Sequence, residues 1–193
     1  MRRGLVAVLA GLSMMLGSLP AWAVTTIGIA SSAFDPAKVR VSQGEDVRWS
    51  NTDPFDHTST QDGPLGLWDT GHIVASSTSS SVALLAAGSY PYHCKIHSTM
   101  HGTVKVPIKV SPSSGSASTT FTITLASATA SGFTYDIQRR VGTGSWTIWQ
   151  KNVTTTTVTF SGAAGTYAFR SRLHRTSNDA KSAWSPAKTI TIS

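Results

Sequence analysis

The sequence predicts an all-β protein made of two successive β-sandwiches, and three observations carry that prediction. Both halves are rich in Val, Thr, Ile and Ser punctuated by Gly and Pro. Neither half contains a long stretch of helical periodicity, whereas short alternating runs recur throughout. Charge also divides the chain: from Val24 to Ser111 six Lys/Arg face seven Asp/Glu, net −1, and from Pro112 to Ser193 eight face two, net +6.

The first element is not part of either sandwich. MRRGLVAVLAGLSMMLGSLPAWA has a basic start, an apolar run and the small-residue ending Ala21-Trp22-Ala23, so residues 1–23 read as an export signal that is removed to leave Val24 first. The apolar run from Leu5 to Leu16 is too short to span a bilayer, and no later segment is apolar enough. Arg2-Arg3 alone does not establish twin-arginine export. The sole cysteine lies far from the signal, so a lipid-attachment cysteine is not expected and the mature chain is expected to be soluble, in the periplasm or outside the cell.

In the first half, TTIGIA, KVRVS, DVRWSN, SVALLA, SYPYHC and TVKVPIKV read as strands separated by the turn-forming groups SQGED, DGPLG and AAGS. The small polar segment SPSSGSAST, Ser111 to Thr119, reads as a linker. The expected units are therefore 24–110, a linker at 111–118, and 119–193. The second unit contributes TTFTITL, FTYDIQRR, SWTIWQ, TTVTFS, GTYAFRSRLHR and KTITIS. Through Tyr135 to Arg139 with Trp146, then Gly165 to Arg172, then Trp184-Ser185-Pro186, it resembles a fibronectin type III domain. Such a fold says little about function. Its aromatics Trp146, Tyr167 and Trp184 are expected in the sandwich core.

Chemistry concentrates in Tyr90-Pro91-Tyr92-His93-Cys94-Lys95-Ile96-His97-Ser98-Thr99-Met100-His101-Gly102. A lone cysteine in an exported chain cannot close an internal disulfide, and a buried inert thiol is the plain reading of it. Its neighbours argue otherwise. Cys-x2-His-x2-Met sets a thiolate, an imidazole and a thioether between two strands, and soft sulfur with imidazole suits copper. His57, just after the strand Asp46–Asn51, can supply a second imidazole. His93 adjoins Cys94 on a strand, so it should face the opposite side. His93, His97 and His101 recur every four residues, but Pro91 and Gly102 argue against a helix that would align them. The residues alone leave His101 open as an alternative last ligand to Met100, in a site that zinc would accept. His72 and His174 read as surface residues.

The first half resembles a cupredoxin of the plastocyanin/amicyanin group. The residues that carry the likeness are Phe34-Asp35-Pro36, Gly44, Val47-Arg48-Trp49-Ser50-Asn51, the His57 segment, Trp68-Asp69-Thr70-Gly71 and Gly88 to Cys94. The short gap from His97 to Met100 resembles amicyanin more than plastocyanin. The resemblance implies a Greek-key sandwich holding one type 1 copper, with His57, Cys94 and His97 as strong ligands and Met100 as the weak axial one. It implies an electron carrier whose electron leaves by the His97 edge. Pro54, Phe55, Pro64, Leu65 and Ile96 are then candidates for an apolar docking rim for a redox partner protein. Several relatives carry Asn immediately after the first histidine, where this chain has Thr58; a hydroxyl and a backbone amide can still tie the ligand loops together, but the reduction potential does not carry over.

No hydrolytic triad, phosphate-binding glycine loop or His-x-His pair is present, so an enzyme is not expected. Nucleic acid is a poor partner for an exported chain without a recognition motif. Two alternatives to electron transfer remain: copper capture or delivery through the same ligands, and attachment of the basic second unit to an acidic protein or surface polymer.

Overall fold

The computed structural model describes residues 23–193, so the expected export signal, apart from its last residue, lies outside the described residues. Among the described residues there is no helix, and hence none long and apolar enough to cross a membrane. The first half holds β1 (Val24–Ala30), β2 (Ala33–Asp35), β3 (Lys38–Arg40), β4 (Glu45–Asn51), β5 (Thr60–Gln61), β6 (Val82–Leu84), β7 (Gly88–His93) and β8 (His101–Val106). They form two facing sheets, β2-β1-β4-β6 and β3-β8-β7-β5. The second half holds β9 (Lys109–Ser111), β10 (Ser114–Gly115), β11 (Phe121–Thr124), β12 (Phe133–Val141), β13 (Thr147–Val153), β14 (Thr157–Phe160), β15 (Gly165–Arg175) and β16 (Lys188–Ile192). These form the sheets β10-β16-β15-β12-β13 and β14-β11-β9.

Alternation explains which side chains face inward. In β4, Val47, Trp49 and Asn51 are buried, and in β7 the buried residues are Gly88, Tyr90 and Tyr92, with Cys94 next in the same phase. Trp49 lies edge-on to Tyr92 at 5.4 Å and stacks with Trp68 at 5.8 Å, filling the sandwich directly behind the cysteine. Tyr92 pairs across the ladder with Gly102, and a Cβ at Gly102 would stand 2.2 Å from the Tyr92 ring. Only glycine lets that ring lie flat over β8.

The expected strand TVKVPIKV divides in two. Pro107 has no N–H to continue the ladder, so β8 ends at Val106 and the chain crosses to the other sandwich, where β9 pairs with β11. The segment expected as a linker is likewise paired in part, because β10 runs parallel to β16. Its small side chains permit that close edge pairing as readily as they permit freedom.

Backbone bonds join the halves. Ala87 N–H donates to Leu125 O (2.8 Å), Ser127 N–H to Leu85 O (2.9 Å), and Ser89 and Ala183 exchange both of their bonds (3.0 and 3.2 Å). Buried Gln43 spans the junction, donating from Nε2 to Pro107 O (3.0 Å) and Thr124 O (2.9 Å). One continuous apolar cluster runs from Ile27 and Trp49 through Val106 and Ile108 to Phe121, Ile137 and Phe169.

Two sequence expectations for the second half are corrected. Trp146 and Trp184 are half-buried with guanidinium groups over their rings, rather than core residues, and Tyr167 packs only partly buried against the core. His174 is buried, bonded through Nδ1 to Asn152 Oδ1 (3.0 Å) and through Nε2 to Asp179 Oδ1 (2.8 Å), where a surface position was expected.

Candidate metal centre

Two loops at one end of the first sandwich bring the chemistry together. The loop after β4 carries His57, and the β7–β8 connection carries Cys94, His97 and Met100. Cys94 N–H donates to Met100 O (3.1 Å) and Met100 N–H to His97 O (3.0 Å), which closes the second loop into a tight hairpin end. His57 exchanges backbone bonds with Ile73 at 3.2 and 2.7 Å, which pins the first.

The Cys94 sulfur lies 3.9 Å from His57 Nδ1 and 3.7 Å from His97 Nδ1, and the two imidazole rings are 4.5 Å apart. The three donor atoms all fall within 4.8 Å of one another. Donors held 2.0–2.3 Å from a shared first-row ion in a trigonal plane would stand roughly 3.5–3.7 Å apart. The observed spacing fits such an ion, and His57, Cys94 and His97 can hold one. Met100 is fully buried in the same loop, whereas His101 points to solvent with Nε2 on Ser98 O (2.9 Å). The zinc-type alternative through His101 therefore finds no place in this arrangement.

The groups around the donors prepare them. His57 is fully buried, and its other nitrogen, Nε2, meets Asp53 Oδ2 at 3.1 Å. A carboxylate there fixes the tautomer, leaving the Nδ1 lone pair facing Cys94. Asp53 is itself held by the amides of Ser31 (2.6 Å) and Ser32 (2.7 Å). Both serines have φ near +50°, as a two-residue β1–β2 hairpin turn requires, and that turn aims both N–H groups at the carboxylate. The Ser32 and Ser31 amides, with His57, hold Asp53 below the usual carboxylate range against the opposing effect of burial. Asn51 Nδ2 ties the loop internally, donating to Phe55 O (2.7 Å) and Ile73 O (2.9 Å).

Thr58 directly follows His57 and is buried. Its amide donates to the Cys94 sulfur (3.3 Å), while its hydroxyl oxygen accepts from the Lys95 amide (2.8 Å), so one residue joins both ligand loops. Burial is the largest influence on the Cys94 thiol and opposes ionisation. Donation from the Thr58 amide, the His97 ring and the Ile96 and His97 amides outweighs it and brings the thiol down to about 6.

Asp53 escaped the sequence reading, although an aspartate four residues before His57, beside Asn51, was a visible signal. His93 faces outward as expected, with Nδ1 at 2.5 Å from Asp62. His72 is exposed and paired with Asp56. Of the expected rim, Pro54, Phe55 and Ile96 are exposed, Leu65 is buried, and Pro64 accepts a bond from Asn178 of the second half. Leu65 is thus a core residue: its loop folds back over the sandwich.

The sequence profile described as a cupredoxin-like domain matches residues 5–106. Amicyanin-alpha of Methylorubrum extorquens is 34% identical over 84 residues, covering 42% of this chain and 71% of that protein. Among solved structures, an amicyanin variant in its reduced Cu(I) form is 27% identical, over 45% of this chain and 84% of that one, with a TM-score of 0.40. A purple cupredoxin from Nitrosopumilus maritimus is 19% identical over 42% and 98%, with a TM-score of 0.39. The profile match over more than half of the chain and the amicyanin relative show that this chain belongs to the cupredoxin-like domain family.

Proposed function

We propose that the chain is an exported electron carrier, not an enzyme, with one copper ion held by His57, Cys94 and His97 and weakly by Met100. The observation that carries this reading is the convergence of one sulfur and two imidazole nitrogens at 3.7–3.9 Å on loops already fixed by hydrogen bonds. Copper in such a set cycles between Cu(II) and Cu(I) and so takes up and returns one electron.

The chain's own residues do the rest. Asp53 holds the His57 ring in orientation, and Thr58 donates its amide to the sulfur and keeps the two loops in register. Trp49, Trp68 and Tyr92 exclude water from behind the cysteine. His97 is only half-buried, and Phe55 (62% exposed), Val74 (52%) and Ile96 (45%) stand around this end of the sandwich. That apolar rim suits brief docking of a redox partner protein, for which a small contact suffices. Export rests on residues 1–23. The fibronectin type III-like character of the second half is supported by its five- and three-stranded facing sheets.

The test is to add Cu(II) to the purified chain beginning at Val24 and record the visible spectrum beside that of Cys94→Ala. An intense sulfur-to-copper band in the parent alone is expected; no band in either removes the reading. Rapid reversible cycling of the bound metal then separates an electron carrier from a delivery protein, which instead hands Cu(I) to an acceptor without turnover.

A further inference from the structure

We propose that a strip of arginine and tryptophan on the second sandwich, continuing into the cleft between the halves, is a docking surface for an acidic polysaccharide bearing uronate carboxylates. The strip is built from alternating side chains. Trp146 lies between the guanidinium groups of Arg140 (4.9 Å) and Arg170 (4.3 Å), and Trp184 between those of Arg170 (5.4 Å) and Arg172 (4.4 Å). Stacking engages the faces of these groups and leaves their N–H edges to find acceptors. Asp136 takes the edge of Arg172, and Gln138 takes Nε of Arg170. Nε of Arg140 is buried with no partner.

Trp184 also lines a cleft of about 280 Å³ between the halves, with Arg40 and Lys105 at its rim and Ala183 and Pro186 beside it. Arg40 and Lys105 are direct register partners on β3 and β8. Like charges placed opposite each other on neighbouring strands are destabilising. Among the described residues neither forms an ion pair; the two carboxylates of the second half are already engaged, Asp136 by Arg172 and Asp179 by Lys181 and His174. At the other end of the strip, burial and then the nearby charge of Arg140 depress the Arg170 pKa.

The Arg40–Lys105 pair lines the cleft beside Trp184, and Arg140 and Arg170 stack on Trp146; among the described residues no carboxylate pairs with any of the four. A polyanion laid along the strip and cleft supplies that missing counter-charge. The planar guanidinium fork matches a carboxylate in two parallel hydrogen bonds. Ala183, Pro186 and the edge of Trp184, whose ring faces Arg170 and Arg172 cover, form a small apolar patch bordered by cations that matches a sugar ring with one apolar face and a carboxylate at its edge. None of these residues belongs to the metal centre, so this proposal stands or falls independently of copper.

The experiment titrates polygalacturonate into the full chain from Val24, read by tryptophan fluorescence and affinity electrophoresis, with poly-glutamate and a neutral polysaccharide as comparisons. Saturable binding that weakens as salt rises is expected, with no binding to the neutral polymer. Arg40→Gln/Lys105→Gln, at exposed and half-exposed positions, is expected to weaken binding at least about tenfold. Arg140→Gln should weaken it further, while Lys109→Gln, away from the strip, should leave it unchanged. Absence of binding at low salt, equal weakening by Lys109→Gln, or tighter binding of poly-glutamate would each overturn the assignment.

Discussion

Each half of the molecule buries a histidine beside an aspartate, and the two pairs serve different ends. His174 uses both ring nitrogens within the second sandwich, one toward Asn152 and one on Asp179. His57 commits only Nε2, to Asp53, and turns Nδ1 toward a sulfur and a second imidazole. Burial and a carboxylate partner are therefore common to a satisfied structural histidine and a ligand. What separates them is a spare lone pair facing other donors. The same contrast extends to the surrounding polar groups: Asn51, Asp53 and Thr58 hold one loop end in shape, whereas Asp136 and Ser171 hold neighbouring strands together and Ser185 ties a loop to one of them.

The sharpest way to break this comparison is to delete each histidine in turn. His57→Ala should abolish the visible copper band and weaken copper binding by orders of magnitude while far-ultraviolet circular dichroism stays that of the parent. His174→Ala should keep the band and instead lower stability by about 2 kcal/mol, read by urea unfolding, because Asn152, Thr134 and Asp179 lose a buried partner. If His174→Ala removed the band, the distinction drawn here would fail.

Gly102 tests whether the packing behind the metal loop matters as much as the ligands. Gly102→Ala forces the Tyr92 ring off β8 and should cost about 3 kcal/mol with a measurable shift of the copper band. At the junction, Gln43→Ala leaves two half-buried carbonyls without this donor and should cost about 1 kcal/mol in unfolding, with the copper spectrum unchanged. The smallest effect is expected for Thr58→Val. It keeps the amide on Cys94 but removes the acceptor for Lys95 N–H, costing about 1 kcal/mol, and the band persists.

Period-two alternation and turn residues made most longer strands legible in the sequence, and Cys94, His97 and Met100 announced themselves by type and spacing. Short strands were not legible: β2 and β5 are too brief for a pattern, and the break at Pro107 required knowing that the chain changes sandwich there. Trp146 and Trp184 misled because an aromatic beside strand-like runs reads as core, whereas here guanidinium groups cover the rings at the surface. Asp53 offered its spacing from His57 as a signal, but what holds its carboxylate, the Ser31–Ser32 turn some twenty residues away in sequence, was not legible. Its contact exists only after β1 and β4 pair.

X-ray absorption at the copper edge of the loaded protein measures the donor set itself. Two nitrogen scatterers and one short sulfur scatterer, with the sulfur lost in Cys94→Ser, are the predicted result. A shell of nitrogen and oxygen alone in the parent would contradict the site.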